Sequence, residues 1–130
     1  EVSEFLAPIY AQGSSGSLSA INVLFIKSIC EFLQIRTQIS DVRDFDVSGD
    51  RNERLVALCQ ATNADCYVSG PSAQGYLNTK SFADQNLRVE WFDYSNYAAY
   101  TQLWGPFVHH VSVLDLLYNC GSSARSYLQH

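Results

Sequence analysis

Basic residues are scarce in this chain, and no cluster of them is visible. Eight Lys and Arg stand against thirteen Asp and Glu in 130 residues, which leaves a net charge of −5. A surface that binds nucleic acid needs clustered Lys and Arg to neutralise phosphates. The composition therefore argues against a nucleic-acid partner.

The sequence also has no apolar run long enough to cross a membrane. Its most apolar segment, AINVLFIKSICEFLQI, is interrupted by Asn22, Lys27 and Glu31. A membrane helix needs roughly 18 uninterrupted apolar residues, so we expect no membrane span and interpret this segment as a packed helix. The present N-terminus shows no basic, signal-like region either.

The four cysteines form no CxxC pair and no zinc-like or redox-like spacing, so the sequence predicts no metal site and identifies no cofactor. They lie in or beside apolar runs, where a free thiol behaves as a small hydrophobe: Cys30, Cys59, Cys66 and Cys120. We expect reduced, buried thiols in a cytoplasmic protein. Methionine is absent and the chain starts at Glu1, so we expect a chain that was processed, trimmed or cut from a longer one.

What is present is enough apolar sequence for a core. At 47% hydrophobic residues, residues 1–130 are predicted to form a single domain without disulfide or metal support. A polar loop, QGSSGS, follows a short N-terminal stretch. Helices are predicted from Ser17 or Ser19 to about Leu33 and over 51–62, 78–86, 113–120 and 123–129, and strands over 36–42, 65–70 and 87–94.

Several of these boundaries follow from capping residues. Asp50 with Glu53 forms a capping box, and Ser112 with Asp115 is predicted to form a second one. Asn63, Asn86 and Gly121 can adopt the backbone conformations that end helices. Because strands alternate with helices, the predicted fold class is α/β, a small three-layer domain with a mainly parallel, helix-flanked, Rossmann-like sheet.

In such sheets ligands bind beyond the carboxyl ends of the strands. The segment SGPSAQGY follows the strand that ends near Val68. Its glycines, including Gly70, permit close backbone approach, Ser69 and Ser72 offer hydroxyls, and Tyr76 can stack or donate a hydrogen bond. It is not a P-loop, because it has no lysine. A plain turn and a ligand-binding turn both remain open here.

Arg51 and Arg54 lie in the first turn of a predicted helix, where the helix dipole disfavours cations by roughly 0.3 to 1 kcal/mol each. Two explanations stay open. Asp46, Asp50 and Glu53 could pair with the arginines as a solvated surface cluster, or a bound anion could compensate their charge.

A third group of residues surrounds the last long helix. His109, His110, Ser112 and Asp115 could form a nucleophilic site, but no strained elbow or oxyanion loop accompanies them, and capping already explains the serine and the carboxylate. The tyrosines of this region, Tyr94, Tyr97 and Tyr100, could line a sugar or base pocket or form the rim of a core.

These stretches together resemble the WbqC-like protein family. The matching motifs are RNERLVALCQATNADCYVSGP, then Tyr76 with Leu77, LRVEWFDY, Tyr100 and Gln102, and VSVLDLLYNCG. The resemblance covers nearly all of residues 20–121 with its spacing kept. Family members are longer and begin with a Gln-Pro and Gly-Tyr-rich motif that is not found here, so we expect the C-terminal part of such a protein.

The family occurs in bacterial O-antigen and surface-polysaccharide contexts. The resemblance implies a transferase that adds an amino-acyl group such as glycine to a sugar, with a small-molecule substrate such as a nucleotide-linked sugar. Two alternatives are a non-catalytic ligand-binding or scaffolding module and a nucleotide-dependent activating enzyme. The oligomeric state is left open.

The resulting hypothesis assigns a role to each candidate residue. Arg51 and Arg54 bind an anionic group, and Asp115 acts as a general base or an orienting carboxylate. The remaining residues supply contacts or shape the pocket: Ser69, Gly70, Ser72, Tyr76, Tyr100 and Gln102.

Overall fold

The computed structural model describes residues 1–13 and 16–128. Its α-helices are α1 (Val2–Gln12), α2 (Leu18–Phe32), α3 (Arg51–Ala61), α4 (Thr79–Ala83) and α5 (Val113–Cys120). The strands are β1 (Cys66–Ser69) and β2 (Arg88–Trp91), and 3₁₀ helices cover Val42–Asp44, Pro71–Gly75 and Gly121–Tyr127. The described residues fall into two compact units, one within Glu1–Ile39 and Tyr97–His130, the other Ser40–Asn96.

The first unit is helical. Its core is formed by one face of α1, the end of α2, and α5 with the 3₁₀ helix that follows. The buried members are Val2, Leu6, Ile9, Leu33, Leu116, Leu117 and Ala124. Helix α2 adds only half-buried side chains along one face, such as Leu24, Phe25 and Ile29. The 3.6-residue period of α2 thus places its apolar stripe against this core.

Local signals define both ends of α2. At its start the Ser17 hydroxyl accepts a hydrogen bond from the Ala20 amide at 3.3 Å, which satisfies one of the free N–H groups of the first turn. At its end Gln34 takes a positive φ of 55°. The Arg125 guanidinium donates to the carbonyl oxygens of Leu33, at 3.0 Å, and of Gln34. These bounds confirm the predicted helix.

The second unit contains the sheet. Strands β1 and β2 are parallel, with Cys66 opposite Arg88 and Ser69 opposite Trp91. Helices flank this two-stranded sheet, and the buried residues of the unit are Val56, Cys59, Leu77, Phe82 and Leu87. Phe82 is fully buried, and its ring stacks on that of Tyr67 with centroids 5.1 Å apart. The predicted parallel pairing and helix-strand composition are confirmed.

Two elements differ from the prediction. The strand expected over residues 36–42 is wrong, because this segment is irregular and leads into the 3₁₀ helix Val42–Asp44. The Asp41 carboxylate accepts hydrogen bonds at 2.9 Å from both the amide and the Nε of Arg43, a local turn that competes with strand pairing. Helix α1 was not predicted. It contains Pro8, and a helix of this length depends on its buried face for stability.

The predictions for the cysteines and for the C-terminal segment are confirmed only in part. All four cysteines are free, but only Cys59 is buried as expected, and the other three are half-buried. Gly121 ends α5 with a φ of 53°. The helix expected over 123–129 is a 3₁₀ helix over Gly121–Tyr127. Residue 129 of that segment and residues 14–15 of the predicted polar loop lie outside the described residues.

Candidate functional site

The start of α3 is held by a complete capping box. The Asp50 carboxylate accepts hydrogen bonds from the amides of Asn52, at 2.7 Å, and Glu53, at 2.9 Å. In return, the Glu53 carboxylate accepts one from the Asp50 amide at 2.7 Å. This confirms the predicted box. Both carboxylates are therefore engaged by backbone N–H groups.

Arg51 and Arg54 are left without acidic partners. Within the described part of the chain, no carboxylate lies within 4.0 Å of either guanidinium, and the ion pairs involve Glu1, Arg43 and Arg88 instead. The predicted surface ion-pair cluster is thus not formed. Asp50 and Glu53 still offset the helix dipole, but the two guanidinium groups keep their charge-assisted hydrogen bonding available.

Arg51 has an aromatic partner. Its guanidinium carbon lies 4.0 Å from the centroid of the Tyr76 ring, a cation–π geometry that contributes about 0.5 to 1 kcal/mol at an exposed site. Because the tyrosine ring covers the guanidinium rather than hydrogen-bonding to it, the N–H donors of Arg51 have no hydrogen-bond partner among the described residues. Tyr76 is 51% exposed, so this pair borders solvent.

A concave pocket of about 450 Å³ adjoins this pair. Its lining combines two arginines, two tyrosines and an apolar floor: Val42, Gly49, Arg51, Arg54, Leu55, Leu58, Tyr67, Ala73, Tyr76 and Leu77. No Asp or Glu is among these residues. A pocket with two cations, no anion and apolar walls has the chemistry to hold an anion attached to an apolar or planar body.

The rest of the SGPSAQGY segment lies elsewhere. Ser69 ends β1, and its carbonyl oxygen accepts from the Phe92 amide at 2.8 Å. Gly70 has an ordinary φ of −69° and begins the 3₁₀ helix Pro71–Gly75, on which Ser72 is exposed. None of these three predicted contact residues lines the pocket, whereas Tyr76 does.

The first unit contains a separate polar network around Asp115. One carboxylate oxygen, Oδ2, accepts from the Tyr100 hydroxyl at 2.7 Å and from Nε2 of Gln102 at 2.9 Å. The Gln102 amide also binds the backbone of Val108, donating to its carbonyl oxygen at 3.0 Å and accepting from its N–H at 2.8 Å. Burial, and then the hydrogen bond to Asp115, raise the pKa of Tyr100 above its usual value.

This network corrects the second predicted capping box. The Ser112 hydroxyl accepts from the Leu114 amide at 3.2 Å and so caps α5, but the Asp115 carboxylate points to Tyr100 and Gln102 instead of closing the box. Neither His109 nor His110 hydrogen-bonds to that serine. The hydroxyl therefore lacks the base that a nucleophile requires.

The tyrosines of the loop before α5 serve different purposes. Tyr100 packs edge-on against the rings of Phe107, at 5.0 Å, and Tyr127, at 5.6 Å, and so belongs to the rim of the first core. Tyr94 is 59% exposed and contacts the Phe92 ring at 4.9 Å. Tyr94 does not line the arginine pocket.

Six of the nine predicted site residues thus form two groups, one in each unit, and Ser69, Gly70 and Ser72 belong to neither. Arg51, Arg54 and Tyr76 share the pocket of the second unit, and the hydrogen bonds of Asp115 join the other group in the first unit. Sequence reasoning missed Tyr67 as a pocket residue. Its position inside a strand, with alternating side-chain direction, was the available signal.

The described residues contain neither a metal site nor a membrane-spanning helix. Among residues 1–13 and 16–128, no group of three or more His, Cys, Asp or Glu side chains could hold a metal ion. The helices of these same residues include none with the length and apolarity that crossing a membrane demands.

Comparison with known proteins agrees with the motifs. The model of the WbqC-like protein family matches residues 1–127. The uncharacterized protein Rv1507c of Mycobacterium tuberculosis is 42% identical over 130 residues, which is all of this chain and 56% of that relative. The chain thus spans little more than half the length of this curated relative. No solved structure matches it. The chain belongs to the WbqC-like protein family.

Proposed function

We propose that the pocket of the second unit binds the anionic group of a small-molecule substrate, and that the protein is a transferase acting on a nucleotide-linked sugar. The observation that supports this most is the pairing of two arginines without acidic partners with a tyrosine-lined, acid-free pocket. The chain as a whole has a net charge of −5, whereas the residues that line this pocket carry a net positive charge.

The arginine geometry fits a phosphate or carboxylate group. A guanidinium presents its donors in a planar fork that matches either anion with two parallel hydrogen bonds. Tyr76 supports the Arg51 fork from one face, and Arg54, one helical turn away, supplies a second one. Leu55 and Leu58 add apolar surface for the uncharged part of the ligand.

The remaining candidate residues have subsidiary roles in this proposal. Ser69, Gly70 and Ser72 do not line the pocket, and in this proposal they contact only a part of the substrate that extends beyond it to the loop after β1. Asp115 acts as an orienting carboxylate, because its hydrogen bonds to Tyr100 and Gln102 fix the positions of both side chains. Its other oxygen, Oδ1, accepts no hydrogen bond from the described residues and could serve as a general base.

The finer assignment rests on family context. We propose that the reaction transfers an amino-acyl group such as glycine to a sugar during bacterial O-antigen or surface-polysaccharide synthesis in the cytoplasm. Membership in the WbqC-like family supports this reading.

Two other functions remain in competition. A scaffolding or non-catalytic binding module would use the same pocket without chemistry. A nucleotide-dependent activating enzyme would bind ATP, whose phosphates also suit paired arginines. Neither is favoured by a further contact of the described residues.

A binding experiment separates these functions. Isothermal titration of the protein with UDP-N-acetylglucosamine, ATP and inorganic phosphate is compared for the wild type and for Arg51→Gln, Arg54→Gln and Lys80→Gln. Lys80 is an exposed cation of the same unit outside the pocket. We expect each arginine variant to weaken binding of the nucleotide sugar about tenfold or more, a loss of about 1.4 kcal/mol, and Lys80→Gln to leave it unchanged.

Each result has a defined meaning. Selective binding of ATP would favour the activating enzyme. If the nucleotide sugar binds each arginine variant as tightly as the wild type, the proposal that this pocket holds its anionic group is refuted. If none of the three ligands binds, the transferase proposal fails and the scaffold is favoured.

A further inference from the structure

The polar side-chain groups of the arginine pocket are mainly hydrogen-bond donors. Arg51 and Arg54 supply guanidinium groups, and the only side-chain oxygens of the described lining residues are the hydroxyls of Tyr67 and Tyr76. This lining thus includes no carboxylate, carboxamide or aliphatic hydroxyl group. Because a guanidinium has no acceptor atom, the pocket is well equipped for groups that accept hydrogen bonds and poorly equipped for groups that donate them.

This donor-rich lining distinguishes the two halves of a nucleotide-linked sugar. Ionised phosphate oxygens only accept hydrogen bonds, and they match the planar fork of a guanidinium. Each sugar hydroxyl also carries a proton that needs an acceptor, and burying a donor without a partner costs free energy. The sugar half is therefore the part of such a substrate that this pocket is least able to bury.

The two arginines offer one fork for each of two phosphates. Residues three apart on a helix are neighbours on one face, with Cβ atoms about 5 to 6 Å apart, so Arg51 and Arg54 can each bind one phosphate of a diphosphate. The amides of Asn52 and Glu53 are not available for this purpose, because they already donate to the Asp50 carboxylate. The arginine side chains, rather than the helix terminus, are the anion-binding groups.

The walls of the pocket suit a flat ring next to the phosphates. The Tyr76 ring lies with its centroid 4.0 Å from the guanidinium carbon of Arg51 and is still 51% exposed, so ring surface remains for a ligand. Leu55 and Leu58 provide apolar surface from α3. Stacking on an aromatic side chain favours binding of any nucleobase, because every base has a π-face. A base with two phosphates thus matches both the ring and the two forks.

We infer that this pocket holds the nucleoside diphosphate half of the substrate, with one phosphate on Arg51 and the other on Arg54, and leaves the sugar outside. The sugar, linked to the second phosphate, is then the part of the substrate that extends beyond the pocket. This inference rests on the proposed function, since it specifies which part of a nucleotide-linked sugar the arginines bind.

Isothermal titration with UDP-N-acetylglucosamine, UDP, UMP and N-acetylglucosamine tests the inference. We expect UDP to bind within about fivefold of the nucleotide sugar, because the sugar adds no contact inside the pocket. UMP should bind at least about tenfold more weakly than UDP, because it leaves one guanidinium fork empty. Free N-acetylglucosamine should not bind at millimolar concentration.

Substitutions then locate the ligand. Arg51→Gln and Arg54→Gln should each weaken UDP about tenfold or more, and only one of them should weaken UMP, which has a single phosphate. Tyr76→Leu should weaken UDP about tenfold through lost stacking. Tyr94→Leu is the matched control, at a 59% exposed tyrosine of the same unit outside the pocket, and should leave UDP binding unchanged. Circular dichroism confirms that each variant is folded.

Three outcomes would overturn the inference. If UDP binds more than about fivefold more weakly than the nucleotide sugar, while the arginine variants still weaken the latter, the sugar contributes to the site and only this inference fails. If UMP binds as tightly as UDP, or if both arginine variants weaken UMP, the two guanidinium groups share one phosphate. If neither UDP nor the nucleotide sugar binds, the proposed function fails together with the inference.

Discussion

Gly49 is the position at which the arginine-bearing helix is most sensitive to a single methyl group. Its φ is +104°, and a Cβ built there would overlap Oε2 of Glu53 and lie 2.8 Å from Cβ of the same residue. That oxygen is the one that accepts from the Asp50 amide in the capping box. Gly49→Ala therefore introduces backbone strain and also expels the Glu53 carboxylate from its hydrogen bond.

The two costs can be estimated separately. A non-glycine residue in a sparsely populated backbone region costs about 1 to 3 kcal/mol. Loss of the hydrogen bond from the Asp50 amide costs about 1 kcal/mol. We expect Gly49→Ala to lower the free energy of unfolding by about 2 to 4 kcal/mol, and Glu53→Ala, which removes the same hydrogen bond without the strain, by about 1 kcal/mol.

The double variant tests the reasoning. Once Glu53 is alanine, the methyl group at position 49 has no carboxylate to expel, so Gly49→Ala/Glu53→Ala should be about 1 kcal/mol more stable than the sum of the single effects predicts. Urea unfolding, followed by the fluorescence of Trp91 in a Trp104→Phe background, measures all four proteins. Additive effects within about 0.3 kcal/mol would refute the proposed contact.

Three further predictions concern the first unit. Leu117 is fully buried, so Leu117→Ala should cost about 2 to 5 kcal/mol in urea unfolding, whereas Leu18→Ala, at a 73% exposed site, should cost less than about 0.5 kcal/mol. Arg125→Ala leaves two carbonyl groups at the end of α2 without their donor and should cost about 1 to 3 kcal/mol, with Arg125→Lys recovering part of the loss. Because the pKa of Tyr100 is raised in the folded state, its proton stabilises the fold below about pH 10, and this contribution is lost as the pH rises through the raised pKa. The stability difference between wild type and Tyr100→Phe should therefore be larger at pH 9 than at pH 11, and a constant difference would contradict the shift.

Helix boundaries were the part of the fold most accessible from sequence. Ser17, Asp50 and Gly121 act on groups within a few residues of themselves, so their effect is visible in the chain alone. The missed helix α1 has the opposite character, because its stability depends on what its buried face packs against, which propensity and period do not contain. The wrong strand over 36–42 has a local cause, since the Asp41 carboxylate binds the amide and Nε of Arg43 and turns the chain there.

The shared pocket of Arg51 and Tyr76 is a more instructive case. A strand over 36–42 would have placed the start of α3 and the loop after β1 at one edge of the sheet, but the segment before α3 contains no strand. The structure still brings the two side chains together. The Asn52 side chain accepts a hydrogen bond from the Asn78 amide at 3.0 Å and so ties the start of α3 to the end of the loop that bears Tyr76. A contact between residues so distant in sequence cannot be read from caps or periodicity.

The two groups of candidate residues differ in how far their polar atoms are already satisfied. In the first unit the Tyr100 hydroxyl, the Gln102 amide and Oδ2 of Asp115 bind one another or backbone. Such a network stabilises a single conformation, and a ligand would have to break it to gain access. In the second unit Arg51 and Arg54 keep unpaired donors beside a concave surface. Leaving such donors unpaired costs little free energy while water solvates them. Because their hydrogen bonds to an anion are charge-assisted, they contribute strongly to the free energy of binding one. By this criterion the second group is where a ligand would bind. The first group mainly holds its own side chains in position, and among the described residues only Oδ1 of Asp115 is left unpaired for chemistry.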